Sequence, residues 1–157
     1  FKELEEIKDE LILEDYIKIR KKRRTKGKER VLPPHKFISS TGHEILVGRN
    51  NRQNDNLSRK IARSYDLWLH VKELPGSHVI IRRKDKEEFP EETIKEAAIL
   101  AAYYSKGRYS ENVAIDYTLA KNLRKPKGAK PGLVHYENYQ TIYITPDEEV
   151  VKKLKSS

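Results

Sequence analysis

From about residue 31 onward the apolar positions alternate between a strand period and a helix period. "HKFISS" and "HEILVGR" alternate apolar and polar residues on either side of Thr41-Gly42, which predicts a hairpin. "NDNLSRKIARSY" changes to helical spacing, with Asn54 or Asp55 as cap and Leu57, Ile61 and Tyr65 on one face. "DLWLHVKELPGSHVII" supplies two apolar runs around Pro75-Gly76 and reads as two strands. "PEETIKEAAILAAYYSK" is the clearest helix: Pro90 suits its first turn, and Ile94, Ala97, Ala98, Ala101 and Tyr104 form one stripe whose alanines favour close packing on a sheet. "NVAIDYTLA" is a further strand, and "GLVHYEN" and "QTIYIT" are expected to pair as a hairpin around Glu137 to Gln140. "TPDE" starts a last helix at Thr145, with Pro146 at its first position and Glu148 at its third. The sum is an α+β fold, a mainly antiparallel sheet with two to three packed helices.

The first 30 residues differ in kind. "FKELEEIKDELILEDYI" is acidic and helix-forming, with Phe1, Leu4, Ile7, Leu11 and Ile12 near coiled-coil spacing, so a protruding N-terminal helix is expected. "VLPPHK" then ends any helix. The domain boundary falls near residue 31: residues 1–30 are the end of a helical arm and a basic linker, and residues 31–157 the globular domain. The chain begins at Phe1 and contains no methionine, so a fragment of a longer protein is expected.

Charge sharpens the picture. The net charge is +9, yet "KIRKKRRTKGKER", Lys18 to Arg30, holds nine basic residues and one acid, leaving a net of about +1 for the other 144 residues. The basicity is a stripe, with Arg20, Lys21, Lys22, Arg23 and Arg24 at its centre, and it points to a polyanion. With no cysteine there is no disulfide framework or thiolate chemistry, and no apolar run reaches the roughly 18 residues of a membrane span. A cytoplasmic location without cofactor or metal is expected.

Three segments carry candidate chemistry. In "DLWLHVK", Leu67, Leu69 and Val71 point one way and Asp66, Trp68, His70 and Lys72 the other. Trp68 on an open face would stack on a base, with His70 and Lys72 at the phosphate or sugar; alternatively a helix covers this face and Trp68 is core. A two-residue Pro75-Gly76 turn puts His70 and His78 on opposite faces, and a bulged or three-residue turn puts them on one. In the latter case Asp66, His70 and His78 form a weak candidate for acid-base or metal chemistry. "GRNNRQND" supplies Arg49, Asn51, Arg52, Asn54 and Asp55, able to order a helix entry or to bond phosphates and base edges; Arg49 and Arg52 are the residues assigned to a ligand. "KNLRKPKGAKPG" offers Lys121, Arg124, Lys125, Lys127 and Lys130 without phosphate-loop spacing, either to a phosphate chain or to solvent.

Taken in order, "ILVGRNNRQNDNLSRKIARSYDLWLHVKELPGSHVII", "EAAILAAYYSKGR", "VAIDYTLAKNLRKPKGAKPG" and "TIYITPDEE" resemble the C-terminal RNA-binding domain of the NFACT family over roughly residues 31 to 155. Bacterial members carry a fibronectin/fibrinogen-binding label. Residues 1–30 resemble the end of the coiled-coil arm that precedes that domain. The resemblance implies a role in ribosome-associated quality control: binding of tRNA and of an obstructed large ribosomal subunit, and support of C-terminal alanine tailing. It places the family's Asp-x-Trp-x-His motif on Asp66, Trp68 and His70, and its Gly-Ser-His motif on Gly76, Ser77 and His78. The expected function is an RNA-binding module without catalysis. The alternatives are an RNA-processing or RNA-modifying enzyme using Asp66, His70 and His78, an adhesin for fibronectin or fibrinogen as the label suggests, and a ligand such as DNA or another polyanion.

Overall fold

The structure, a computed structural model, describes residues 32–155. The expected N-terminal helix and Arg20, Lys21, Lys22, Arg23 and Arg24 lie outside the described residues.

Strands β1 (His35–Ile38) and β2 (Glu44–Val47) form the expected hairpin, in register His35 with Val47 and Ile38 with Glu44. Helix α1 (Asn51–Asn56) follows and continues as a π-helical turn, Leu57–Ile61. Next come β3 (Leu67–Val71), β4 (Val79–Ile81), α2 (Glu91–Tyr103) and β5 (Val113–Leu119). Two short strands, β6 (Leu123–Arg124) and β7 (His135–Tyr136), precede β8 (Gln140–Ile144) and α3 (Glu148–Leu154). The main sheet has the order β1-β2-β4-β3-β5-β8, antiparallel at every pairing, and β6-β7 is a separate two-stranded ribbon.

Both faces of this sheet are covered. Leu67, Leu69 and Val71 join Val79, Ile81 and Ile115 beneath Ala97, Ala98, Leu100, Ala101 and Ala102 of α2 and Val151 and Leu154 of α3. Alanines let the helix backbone approach the sheet, as the stripe predicts. On the opposite face Leu46, Trp68 and Ile80 pack with Leu57, Ile61, Ala62, Leu123, Val134 and Tyr136. The π-helical turn and the β6-β7 ribbon therefore form a second cover. No helix among the described residues is long and apolar enough to cross a membrane.

Three local expectations are corrected. Helix α1 starts four residues early: the cap is Asn50, whose Oδ1 accepts from the Gln53 amide at 3.0 Å, while Gln53 Oε1 accepts from the Arg49 amide at 2.8 Å. Tyr65 is consequently past the helical segment and exposed. The expected hairpin around Glu137 to Gln140 does not form, because β7 pairs with β6 and β8 with β5. The intervening turn is fixed by Thr118 Oγ1, which donates to the carbonyls of Glu137 and Asn138, with Asn138 at φ 55. The last helix is capped by Asp147, whose Oδ1 accepts from the Glu149 amide, while Thr145 Oγ1 accepts instead from the Asn112 amide. Asn50→Ala is expected to lower stability by about 1 kcal/mol, read as a lower urea midpoint at unchanged m-value.

Candidate nucleic-acid interface

The polar face of β3 turns out to be interior. Trp68 is 1% exposed, its ring parallel to His70 at 5.8 Å, with the ring of His78 edge-on at 5.3 Å and that of Tyr136 at 4.8 Å. The open stacking surface expected of Trp68 is absent, and the covering alternative describes the structure. Cross-strand register explains the histidines. Leu69 pairs with Val79, so His70 stands opposite His78 on the same face, ring centroids 5.3 Å apart. Pro75-Gly76 is not a two-residue turn: the chain reverses through Glu73 at φ 56, and Gly76 bridges to Ser105.

Apart from the Trp68 indole N–H, which has no acceptor among the described residues, the buried polar side chains of this cluster have structural partners. His78 Nε2 donates to the Gly132 carbonyl at 2.9 Å and Nδ1 accepts from the Ser58 hydroxyl at 2.6 Å, which fixes the neutral tautomer. Burial, and then the neighbouring His70, hold its pKa down at about 3. Burial also lowers His70, whose Nε2 bonds the Gly76 carbonyl at 3.2 Å. Asp66 does not join the histidines: its carboxylate accepts from the amides of Arg63 and Arg83 at 2.9 and 2.8 Å, with Arg82 Nε at 3.5 Å. The carboxylate that does face His70 is Asp116, its register partner on β5, which accepts from the hydroxyls of Tyr136 and Thr141, both at 2.6 Å. Lys72 Nζ lies 3.4 Å from Asp116 and 4.9 Å over the Tyr139 ring. Among the described residues no three His, Asp or Glu side chains are placed to hold a metal ion.

Helix α1 and the lysine-rich loop are tied to this cluster. Asn54 Oδ1 accepts from the His78 amide at 3.0 Å, an approach that requires Gly48, where a Cβ would lie 2.0 Å from that oxygen. Asp55 pairs with Lys125 and accepts from the Gly132 amide at 3.3 Å. Asn54, Asp55, His78 and Lys125 are thereby engaged in anchoring, as are Asp66 and Trp68. Lys127 and Lys130 are exposed on the loop that these bonds hold, and Arg52 is exposed on α1. Lys121 lies 5.1 Å over the exposed Tyr65 ring, and Arg124 pairs with Glu137 at 3.1 Å.

The open feature lies beside this cluster. A cleft of about 330 Å³ forms where the start of α1, the Pro-Gly reversal and the end of α2 meet. Arg49, Asn50, Asn51 and Asn54 line one side, Pro75, Gly76 and Ser77 the second, and the segment Tyr103 to Lys106 with Arg108 the third. Among the described residues three cations line it and no carboxylate does. Its walls are fixed by main-chain bonds: the Ser77 amide donates to the Tyr104 carbonyl and the Lys106 amide to the Pro75 carbonyl, both at 3.0 Å. Only glycine at 76 permits this closure, since a Cβ there would lie 2.9 Å from Ser105 Cβ. Arg49 Nε donates to the Pro33 carbonyl at 2.7 Å, and Tyr104 stacks on His35 at 4.9 Å. Burial, followed by the charges of Arg49 and Lys155, lowers His35 to about 4 and keeps it neutral at physiological pH. The Arg108 guanidinium lies 4.0 Å over the Tyr103 ring.

A family model described as the NFACT protein RNA-binding domain matches residues 34–138. The chain belongs to this family. Two curated relatives, both named Rqc2 homolog RqcH, are 42% identical: one from Bacillus subtilis (strain 168) over 99% of this chain, and one from Streptococcus suis (strain 05ZYH33) over 98%. The chain spans 27% of the length of each. A solved structure titled as the C-terminal part of the fibronectin/fibrinogen-binding protein from Streptococcus suis is similar at a TM-score of 0.77 and 42% identity, covering 85% of this chain and 53% of that one. In this NFACT RNA-binding domain, the cleft gathers Arg49, Asn51, Asn54 and Ser77 from the expected site residues and leaves Lys121 to Lys130 outside its lining. Sequence reasoning missed Tyr103, Tyr104, Lys106 and Arg108. The signal is present in "YYSKGRYS", an interleaving of tyrosines and cations past the end of the helical stripe.

Proposed function

We propose that this chain is the RNA-binding module of a ribosome-associated quality control factor, taking tRNA and large-subunit ribosomal RNA and performing no catalysis of its own. The observation that carries this is the cleft's convergence of Arg49, Lys106 and Arg108 with amide side chains and, among the described residues, no carboxylate. The basic stripe of the sequence, Lys18 to Arg30, adds charge of the same sign. The names of the relatives support the ribosomal setting, and support of C-terminal alanine tailing is proposed for the whole factor. A binding role is favoured over RNA processing because His78 is 2% exposed with both ring nitrogens engaged, and Asp66 is bonded elsewhere.

Filter binding of the full chain to tRNA, ribosomal RNA fragments and duplex DNA across a salt series tests the proposal. Affinity for RNA is expected to fall steeply with salt. Replacing Arg49, Lys106 and Arg108 together by alanine is expected to weaken it about tenfold or more and to flatten the logarithmic salt slope by roughly 2, at about 0.7 per lost phosphate contact. Affinity indifferent both to salt and to the triple substitution would overturn the proposal, and preferential binding of DNA or of fibronectin would replace the RNA by that partner.

A further inference from the structure

We infer that the cleft between α1, the Pro-Gly reversal and the end of α2 takes a single unpaired nucleotide, so that the module prefers single-stranded or bulged RNA to continuous duplex. The inference rests on the RNA-binding proposal and specifies its ligand. Size is the first ground: about 330 Å³ is at the lower end of the range for small-molecule clefts and suits one nucleotide rather than a helix surface. The second is the division of chemistry across the opening. Arg49 supplies the charge for a phosphate, while Asn50 and Asn51 bring amides able to bond a base edge. Asn50 Oδ1 is committed to the Gln53 amide, so Asn50 meets the base with its NH₂ as a donor.

The third ground is a stacking surface at the rim. The Arg108 guanidinium lies 4.0 Å over Tyr103 and 5.6 Å from the ring of Tyr109, which is 92% exposed. Unstacked bases are held on aromatic rings and on guanidinium planes, which duplex bases cannot reach without being extruded. The walls are already closed by the Ser77 and Lys106 main-chain bonds, so little ordering is left for the ligand to impose.

Fluorescence titrations of the full chain with three RNAs of equal length test this: an unstructured single strand, a continuous duplex, and the same duplex with one bulged nucleotide. The single strand and the bulged duplex are expected to bind about tenfold more tightly than the continuous duplex. Arg108→Lys, which keeps the charge and removes the plane, and Tyr109→Ala, at a side chain too exposed to affect folding, are each expected to erase most of that preference. Equal affinity for all three RNAs, or a preference untouched by both substitutions, would overturn the nucleotide site while leaving RNA binding in place. No salt-sensitive binding to any of the three would remove the RNA-binding proposal itself.

Discussion

Trp68→Ala is expected to lower the unfolding free energy by about 3–5 kcal/mol, the range for emptying a buried large aromatic site. The cost arises on both sides of the ring. Trp68 fills the layer between the sheet and its second cover, touching His70, His78 and Tyr136, and Leu57 and Ile80 belong to the same cluster. Trp68→Phe is expected to cost far less, because it keeps most of the ring and removes an indole N–H that has no acceptor among the described residues. Urea denaturation gives both values, and RNA titration under fully folded conditions separates the two roles of a tryptophan in a nucleic-acid-binding protein. Folded Trp68→Phe is expected to bind RNA within about twofold of the parent. A large loss of affinity without loss of stability would mean that the ring reaches the ligand, and the interior role assigned here would be wrong.

Acid is expected to destabilise the domain through its buried histidines. His78, held near 3 by burial and His70, and His35, held near 4 by burial and Arg49, stay neutral in the folded chain where the unfolded chain takes up protons. The sign follows: the unfolded state binds more protons at any pH between the folded value and about 6.5, so stability is complete above that window and falls as pH drops through it. Well below pH 6.5 a group such as His78 contributes a slope of about 1.4 kcal/mol per pH unit, and the half-buried His35 contributes less. His78→Gln removes that titration together with the bonds to Ser58 and Gly132. The variant is expected to be about 2–3 kcal/mol less stable at pH 8, with the gap narrowing as pH falls. Urea midpoints for both proteins between pH 8 and pH 4.5 check this, and parallel pH curves would show that His78 is not a neutral buried group.

The same histidine has a structural role whatever else its motif does. His78 joins three elements distant in sequence: β4, the π-helical turn through Ser58, and the lysine-rich loop through Gly132. Asn54 and Asp55 serve the same purpose, so the loop carrying Lys127 and Lys130 and the helix carrying Arg49's neighbours are anchored to one buried cluster. In this NFACT RNA-binding domain Trp68 and His78 are thus buried beside the cleft, while Gly76 and Ser77 form part of its wall.

Much of the architecture was legible from local pattern. The β1-β2 hairpin, the alanine stripe of α2 and the in-out alternation of β3 are set by residue spacing, because strand and helix periods decide which side chains share a face before any partner is present. The caps were harder: Asn50, Asn54 and Asp55 are chemically equivalent candidates, and only the demand of the His78 amide for an acceptor assigns Asn54 elsewhere. The β7-β8 hairpin failed for a related reason. A short gap between apolar runs permits a hairpin, but β8 gains more by completing the main sheet beside β5, where Ile142 and Ile144 reach the core.

By itself the sequence determined an antiparallel α+β domain, the face on which Trp68, His70 and Lys72 stand, and a positive net charge, since periodicity, turn chemistry and charge are local properties of the chain. Tertiary structure decided that this polar face is covered, that His70 and His78 stand side by side, and that Arg49 meets Tyr103 and Arg108 across a cleft. Those outcomes depend on cross-strand register and on which segments pack over a sheet, and contacts between residues some fifty positions apart leave no periodic trace in the chain.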